Sequence, residues 1–159
     1  MPSRVLVERR VAVALDSLIL NDAYLILNGA AERSITHKLA EYLQQVFRSW
    51  HVDCEYNKWG SGIKILPLRD QDGWIEDSPV YPDIIVHRRG TPVHPDNPPH
   101  CLVVEARKHP ATAKKIRRDR EKIDRFLDTQ LRYRYGLLIE FRVESELISY
   151  SQEWKESQQ

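Results

Sequence analysis

Apolar residues recur along the chain with two periods, one near 3.6 residues and one of 2, and the switching between them lays out the elements. In the first segment, Val5 to Leu20, apolar, charged and β-branched residues mix so that both periods fit, and helix is the favoured reading. Asn28-Gly29 then reads as a cap. Ile35, Leu39, Tyr42, Leu43 and Val46 follow at helical spacing, which predicts an amphipathic helix from about Ala30 to Arg48. Val52, Cys54 and Tyr56 alternate with polar neighbours as a strand does, and the Gly- and charge-containing stretch 57–79 predicts a long hairpin connection. Val80 to His87 and Leu102 to Ala106 are strand-like runs, separated by Thr91 to Pro99, whose four prolines exclude regular structure. After Pro110, Ile116, Ile123, Phe126 and Leu127 space out another amphipathic helix, and Tyr135 to Phe141 and Glu146 to Tyr150 predict two last strands. The polar tail from Gln152 is expected to fray. The predicted order is helix, helix, strand, strand, strand, helix, strand, strand.

With 159 residues, 42% hydrophobic and 30% charged, the chain fits one domain with a sizeable core. No internal repeat, heptad series or low-complexity tract is present. No basic start leads into an apolar signal core, and no apolar run approaches the ~18 residues of a membrane span, so the expectation is a soluble, cytoplasmic protein. Cys54 and Cys101 are isolated and offer neither a disulfide framework nor a metal-ligand spacing; two buried thiols in a reducing compartment is the simplest account. The net charge of +1 excludes an overall polycation, but from Arg107 to Arg125 nine basic residues face only Asp119, Glu121 and Asp124. Such a stretch suits either a phosphate backbone or a solvated helix face.

Two carboxylates stand out against their surroundings. Asp83 lies in Tyr81-Pro82-Asp83-Ile84-Ile85-Val86 and Glu105 in Leu102-Val103-Val104-Glu105-Ala106-Arg107, each within or beside a run that favours burial. Aspartate and glutamate are poor strand residues, and two buried carboxylates on adjacent strands repel unless a cation compensates. A shared hard cation removes both penalties, and oxygen ligands of this kind suit Mg2+ or Mn2+ rather than zinc. The plainer alternative is that Asp83 opens a strand after Pro82 and Glu105 pairs with Arg107, its neighbour on the same face.

Pro82-Asp83, then Glu105-x-Arg107 on the next strand, then a basic helix, resembles the PD-(D/E)XK nuclease superfamily over about residues 30–141. The wider pattern, Glu32-Arg33-Ser34-Ile35-Thr36-His37, Asp53-Cys54-Glu55-Tyr56-Asn57, Pro82 through Arg89 and Glu105-Ala106-Arg107-Lys108, is similar to small stand-alone bacterial members. The resemblance implies an α/β fold with a restriction-endonuclease-like core: a helix, a three-stranded meander, a helix and a further strand, forming a central mixed sheet flanked by helices. Residues 1–29 would be a preceding helical segment of the single domain and 152–159 its tail. It also implies that Asp83 and Glu105 bind the metal with the Ala106 carbonyl as a further ligand. Glu32, two turns before Leu39 on the core-facing stripe, would be the acid of the helix; a first-turn glutamate favoured by the helix dipole is the competing explanation.

Arg107 stands where the family usually has lysine. Arginine keeps its proton, yet it can orient water or stabilise charge developing on phosphorus. Lys108 is sent to the opposite face by strand alternation, and Lys114 and Lys115 at the start of the following helix could reach back in its place. Lys108, Lys114, Lys115, Arg118 and His37 are candidate nucleic-acid contacts. His87, His94, His100 and His109 match no zinc-ligand spacing, and Trp59 and Trp74 suit either base stacking or packing under a loop. The resulting expectation is an Mg2+- or Mn2+-dependent endonuclease hydrolysing phosphodiester bonds, DNA first. The alternatives are a nuclease-fold module, weakened or inactive, that binds nucleic acid or a protein, and a homodimer-forming interaction protein that uses the apolar N-terminal segment.

Overall fold

The computed structural model describes residues 1–59, 62, 63, 65–69, 75–90, 99–128 and 131–158. The first segment is helix α1, Arg4–Leu27, opened by the Ser3 hydroxyl accepting from the Leu6 amide at 3.4 Å. Its backbone leaves helical geometry at Asp22, which kinks it. Asn28-Gly29 closes this helix rather than opening the next. Gly29 adopts a positive φ of 67° while its amide bonds to Ile26 and that of Ala30 to Leu25, the pair of bonds by which a helix end satisfies its last carbonyls. Helix α2, Glu32–Val46, therefore starts without a side-chain cap, two residues inside the predicted span at each end.

Strand β1, His51–Cys54, stops before Tyr56 because Glu55 turns to a φ of 49°. The connection that follows holds two short hairpins, β2 (Lys58–Trp59) with β3 (Gly62–Ile63) and β4 (Ile65–Arg69) with β5 (Ile75–Pro79). Strands β6 (Ile84–His87) and β7 (His100–Lys108) are next; residues 91–98 of the proline-rich connection, with His94, lie outside the described residues, as does Trp74. Helix α3, Ala113–Asp128, leads to β8, Tyr135–Glu144, and β9, Leu147–Glu156. The tail expected to fray instead completes β9. Its ladder runs to Tyr135 opposite Glu156, and Trp154 packs on the core.

The five long strands form one mixed sheet in the order β1-β6-β7-β8-β9, antiparallel except where α3 crosses over and sets β8 parallel to β7. Strand alternation divides the core in two. Ile84, Val86, Leu102, Val104 and Leu137 pack under α1 and α2, whereas Ile85, Val103 and Leu138 pack with Ile123, Phe126 and Leu127 of α3. A Cβ at Gly136 would collide with Ile123, so glycine there permits α3 to lie close on β8. The protein is thus α/β, a five-stranded mixed sheet flanked by three helices. No helix among the described residues is long and apolar enough to cross a membrane.

Candidate functional site

The central strand β7 outruns its neighbour β6, whose last pair with it is Ile84 opposite Val104. The next two outward amides of β7 are left without strand partners, and carboxylates take them: Asp83 Oδ2 accepts from Ala106 at 2.8 Å and Glu32 Oε1 accepts from Lys108 at 3.0 Å. Glu105 directly precedes Ala106 on β7 and points to the α3 face, 3% exposed. These three carboxylates, with Asp119 of α3, share a cleft of about 360 Å3 with Lys115, Arg118 and Lys122.

Lys122, not Arg107, is the cation on Glu105. Its ammonium donates to Glu105 Oε2 at 2.6 Å and to the Tyr81 carbonyl at 3.2 Å. Glu105 Oε1 is buried without a hydrogen-bond partner. Burial therefore pushes the Glu105 carboxyl up to about 8, with Lys122 opposing and the nearby Asp83 and Asp119 charges adding to the rise. Asp83 and Asp119 are also raised, chiefly by burial, against the Ala106 amide in the first case and Arg107 in the second. Glu32 goes the other way. Burial would raise it, but the hydrogen bonds from Lys115 and the Lys108 amide outweigh that and hold it below its ordinary value.

Arg107 shares the face of Glu105 but is committed elsewhere. In the parallel ladder it stands opposite Glu140 of β8, its Nε donates to Glu140 Oε2 at 2.9 Å, and its remaining reach goes to Asp119 Oδ2 at 3.3 Å. It lines a different cleft, with His109, Glu140 and Arg142. The pairing of Glu105 with Arg107, the plainer alternative from the sequence, is absent for this reason. Lys108 points to the other face, as alternation requires, and spends its ammonium on the carbonyls of Gly29 and Ala30 at 3.1 and 2.7 Å. Lys115 reaches back to pair with Glu32, whereas Lys114 stays exposed at the helix start. Arg118 stands exposed at the cleft mouth with no ion-pair partner among the described residues. His37 is exposed on α2 and contacts Glu41 at 3.0 Å.

Lys122 and Asp119 are the site residues that the sequence reading passed over. The signal for them is helical spacing: Lys115, Arg118, Asp119 and Lys122 stand at i, i+3, i+4 and i+7, one stripe of α3 turned to the strands. The histidines are individually engaged, His87 with Asp53 at 2.7 Å, His100 with the Leu131 carbonyl and His109 with Glu140 at 3.2 Å. Among the described residues no three His, Cys, Asp or Glu side chains converge closely enough to enclose a metal ion. Asp83 and Glu105 both line the cleft, a pair of carboxylates of the oxygen-only type that hard divalent ions take.

No protein-family model, no curated protein and no solved structure matches the chain.

Proposed function

We propose that this chain is a metal-dependent endonuclease of the PD-(D/E)XK type, hydrolysing phosphodiester bonds of nucleic acid, DNA first, in the cleft between β7 and α3. The observation that carries the reading is Glu105. A carboxylate fully buried on a central strand, with one oxygen unpartnered and its proton held up to about 8, is a poor structural element and a ready ligand for a cation that takes the proton's place. The element order from α2 through β1, β6, β7 and α3 to β8, a helix, three antiparallel strands, a helix and a parallel strand, supports it further.

On this reading Asp83 and Glu105 would hold Mg2+ or Mn2+, which would supply Lewis acidity toward water and phosphate. The Ala106 amide fixes the Asp83 carboxylate. Lys122 takes the role that Arg107 cannot fill, a fixed ammonium beside the carboxylate pair that stabilises negative charge growing on the phosphoryl oxygens. Arg118 and Lys115 at the mouth orient the backbone phosphates, and Arg107 serves as a positioning residue for Asp119. The second reading, a binding module without cleavage, draws on the same Lys122–Glu105 contact, since an internal ammonium already neutralises the carboxylate.

The test is incubation of single- and double-stranded DNA and RNA with the full chain and Mg2+ or Mn2+, beside Asp83→Asn and Glu105→Gln. Cleavage by the native chain alone supports the nuclease. Metal-dependent thermal stabilisation, lost in both variants and without cleavage of any substrate, decides for the binding module.

A further inference from the structure

Helix α1 is apolar on two faces. Val7, Val11, Ala14, Leu15 and Leu18 are buried against α2 and the sheet, and that alone accounts for its place in the fold. On the outer side Leu6, Val13 and Leu20 recur every seven residues and stand exposed, Val13 by 52% and Leu20 by 83%. Arg9 and Asp16 fall between them, giving the steps three, four, three, four of a seam that meets another helix. An exposed apolar row of this regularity, with none of its residues lining the cleft, is a signature of association.

We infer that α1 is the interface of a homodimer, packed antiparallel against α1 of a second copy about a two-fold axis beside Val13. Three independent features fit that occupant. The charges in the seam are opposite in sign, and the midpoint between Arg9 and Asp16 falls next to Val13; inverting one helix about that point brings Arg9 of each copy to Asp16 of the other, twice per interface. Within one helix the two are seven residues apart and cannot pair, and neither has a hydrogen-bond or ion-pair partner among the described residues. An axis about half a residue further on, at Val13 itself, sets Leu6 against Leu20 and Val13 against itself; that offset is only about 0.75 Å along the helix, within reach of the long Arg9 side chain, so apolar residues of the seam meet apolar ones. Finally, the helix is regular from Arg4 to Asn21 before the irregular residue Asp22, whose carboxylate is held by Tyr42 at 2.6 Å, so the straight segment is itself centred beside Val13. A parallel pairing would set Arg9 beside Arg9 and Asp16 beside Asp16. The two clefts then stand away from the interface, each complete in its own chain.

The experiment is sedimentation of the full chain at micromolar concentration. A dimer is expected, which Val13→Asp converts to a folded monomer whose unfolding midpoint no longer depends on protein concentration and matches that of the native chain diluted below its dissociation constant. Arg9→Asp and Asp16→Arg should each weaken the dimer about tenfold or more, and the two together in one chain should restore it, since the pair is merely exchanged. In a Cys54→Ser background, Val13→Cys should form an intermolecular disulfide on mild oxidation. A native chain that sediments as a monomer, whether inert or taken up by lipid vesicles, overturns the proposal. So does a dimer indifferent to Val13→Asp, or one that the double exchange fails to restore. None of these readouts depends on cleavage.

Discussion

Glu105 and Glu140 lie on adjacent strands and the same face of the sheet, both buried, yet their surroundings drive them in opposite directions. Glu140 receives Arg107 at 2.9 Å on one oxygen and Arg142 and His109 at 2.7 and 3.2 Å on the other; the Arg107 hydrogen bond above all holds it down to about 2. Glu105 has one ammonium on one oxygen, nothing on the other, and a proton held up to about 8. The cost of burying charge is met at Glu140 by its neighbours in the chain. At Glu105 it is left open, and an uncompensated carboxylate beside a second one is where an external cation has most to offer. Two residues along one strand thus divide the labour: Arg107 ties β7 to Glu140 of β8 and to Asp119 of α3, while Glu105 faces the cleft with Lys122.

The contrast can be broken most directly through stability. Glu140→Ala leaves the buried Arg107 with only the longer contact to Asp119 and should cost about 3 kcal/mol in urea unfolding; a loss under ~1 kcal/mol would show that the compensated pair carries no structural weight. Cleavage kinetics sharpen the contrast from the other side. Lys122→Met should lower kcat about 100-fold or more, while Arg107→Met, once allowance is made for its lower stability, should leave the kcat of the folded fraction within ~10-fold. An inverted order would return the charge-stabilising role to Arg107.

pH separates the two carboxylates by sign. The folded state binds the Glu105 proton that the unfolded chain releases, so stability from this group is present below the unfolded value of 4.5 and is lost as pH rises to about 8, by at most ~1.4 kcal/mol per pH unit. Glu140 contributes in the opposite window: its contribution is present above 4.5 and is lost as pH falls toward 2. Glu105→Gln should therefore flatten the alkaline limb alone, as followed by thermal unfolding across pH, and the stabilisation by added Mg2+ should grow along that limb in the native chain. The smallest effect is expected at the rim, where Arg118→Ala should reduce the salt dependence of DNA binding by about one phosphate contact, read from the slope of affinity against ionic strength.

Asp83, just ahead of β6, and Glu105, on β7, stood out in the sequence because each interrupts or borders an apolar run, and an interruption is a local signal. The helical nature of residues 4–27 was only weakly legible, since a helix apolar on two faces has no clean period. Arg107 misled because its partner Glu140 is set by the parallel register of β7 and β8, a pairing across a whole crossover that no spacing reveals. Lys122 was hidden by the opposite habit, reading the basic stretch as one block instead of sorting it by helix face. At Asn28-Gly29 the residues were read correctly as a cap, but the same pair closes one helix as readily as it opens another when so little chain separates them. The tail from Gln152 became strand because a ready-made edge, β8, was longer than its own apolar pattern suggested.

Lys108 ties together parts that are far apart in the chain. Its amide goes to Glu32, and its ammonium to the carbonyls of Gly29 and Ala30, so the corner between the first two helices and the end of the central strand move as one body. The Glu32 wall of the cleft then cannot swing out unless three hydrogen bonds fail together. On the proposed function, widening the groove to admit a polymer would fall to the other jaw, α3, which at this end is held by two long, bendable lysines, Lys115 to Glu32 and Lys122 to Glu105 of β7.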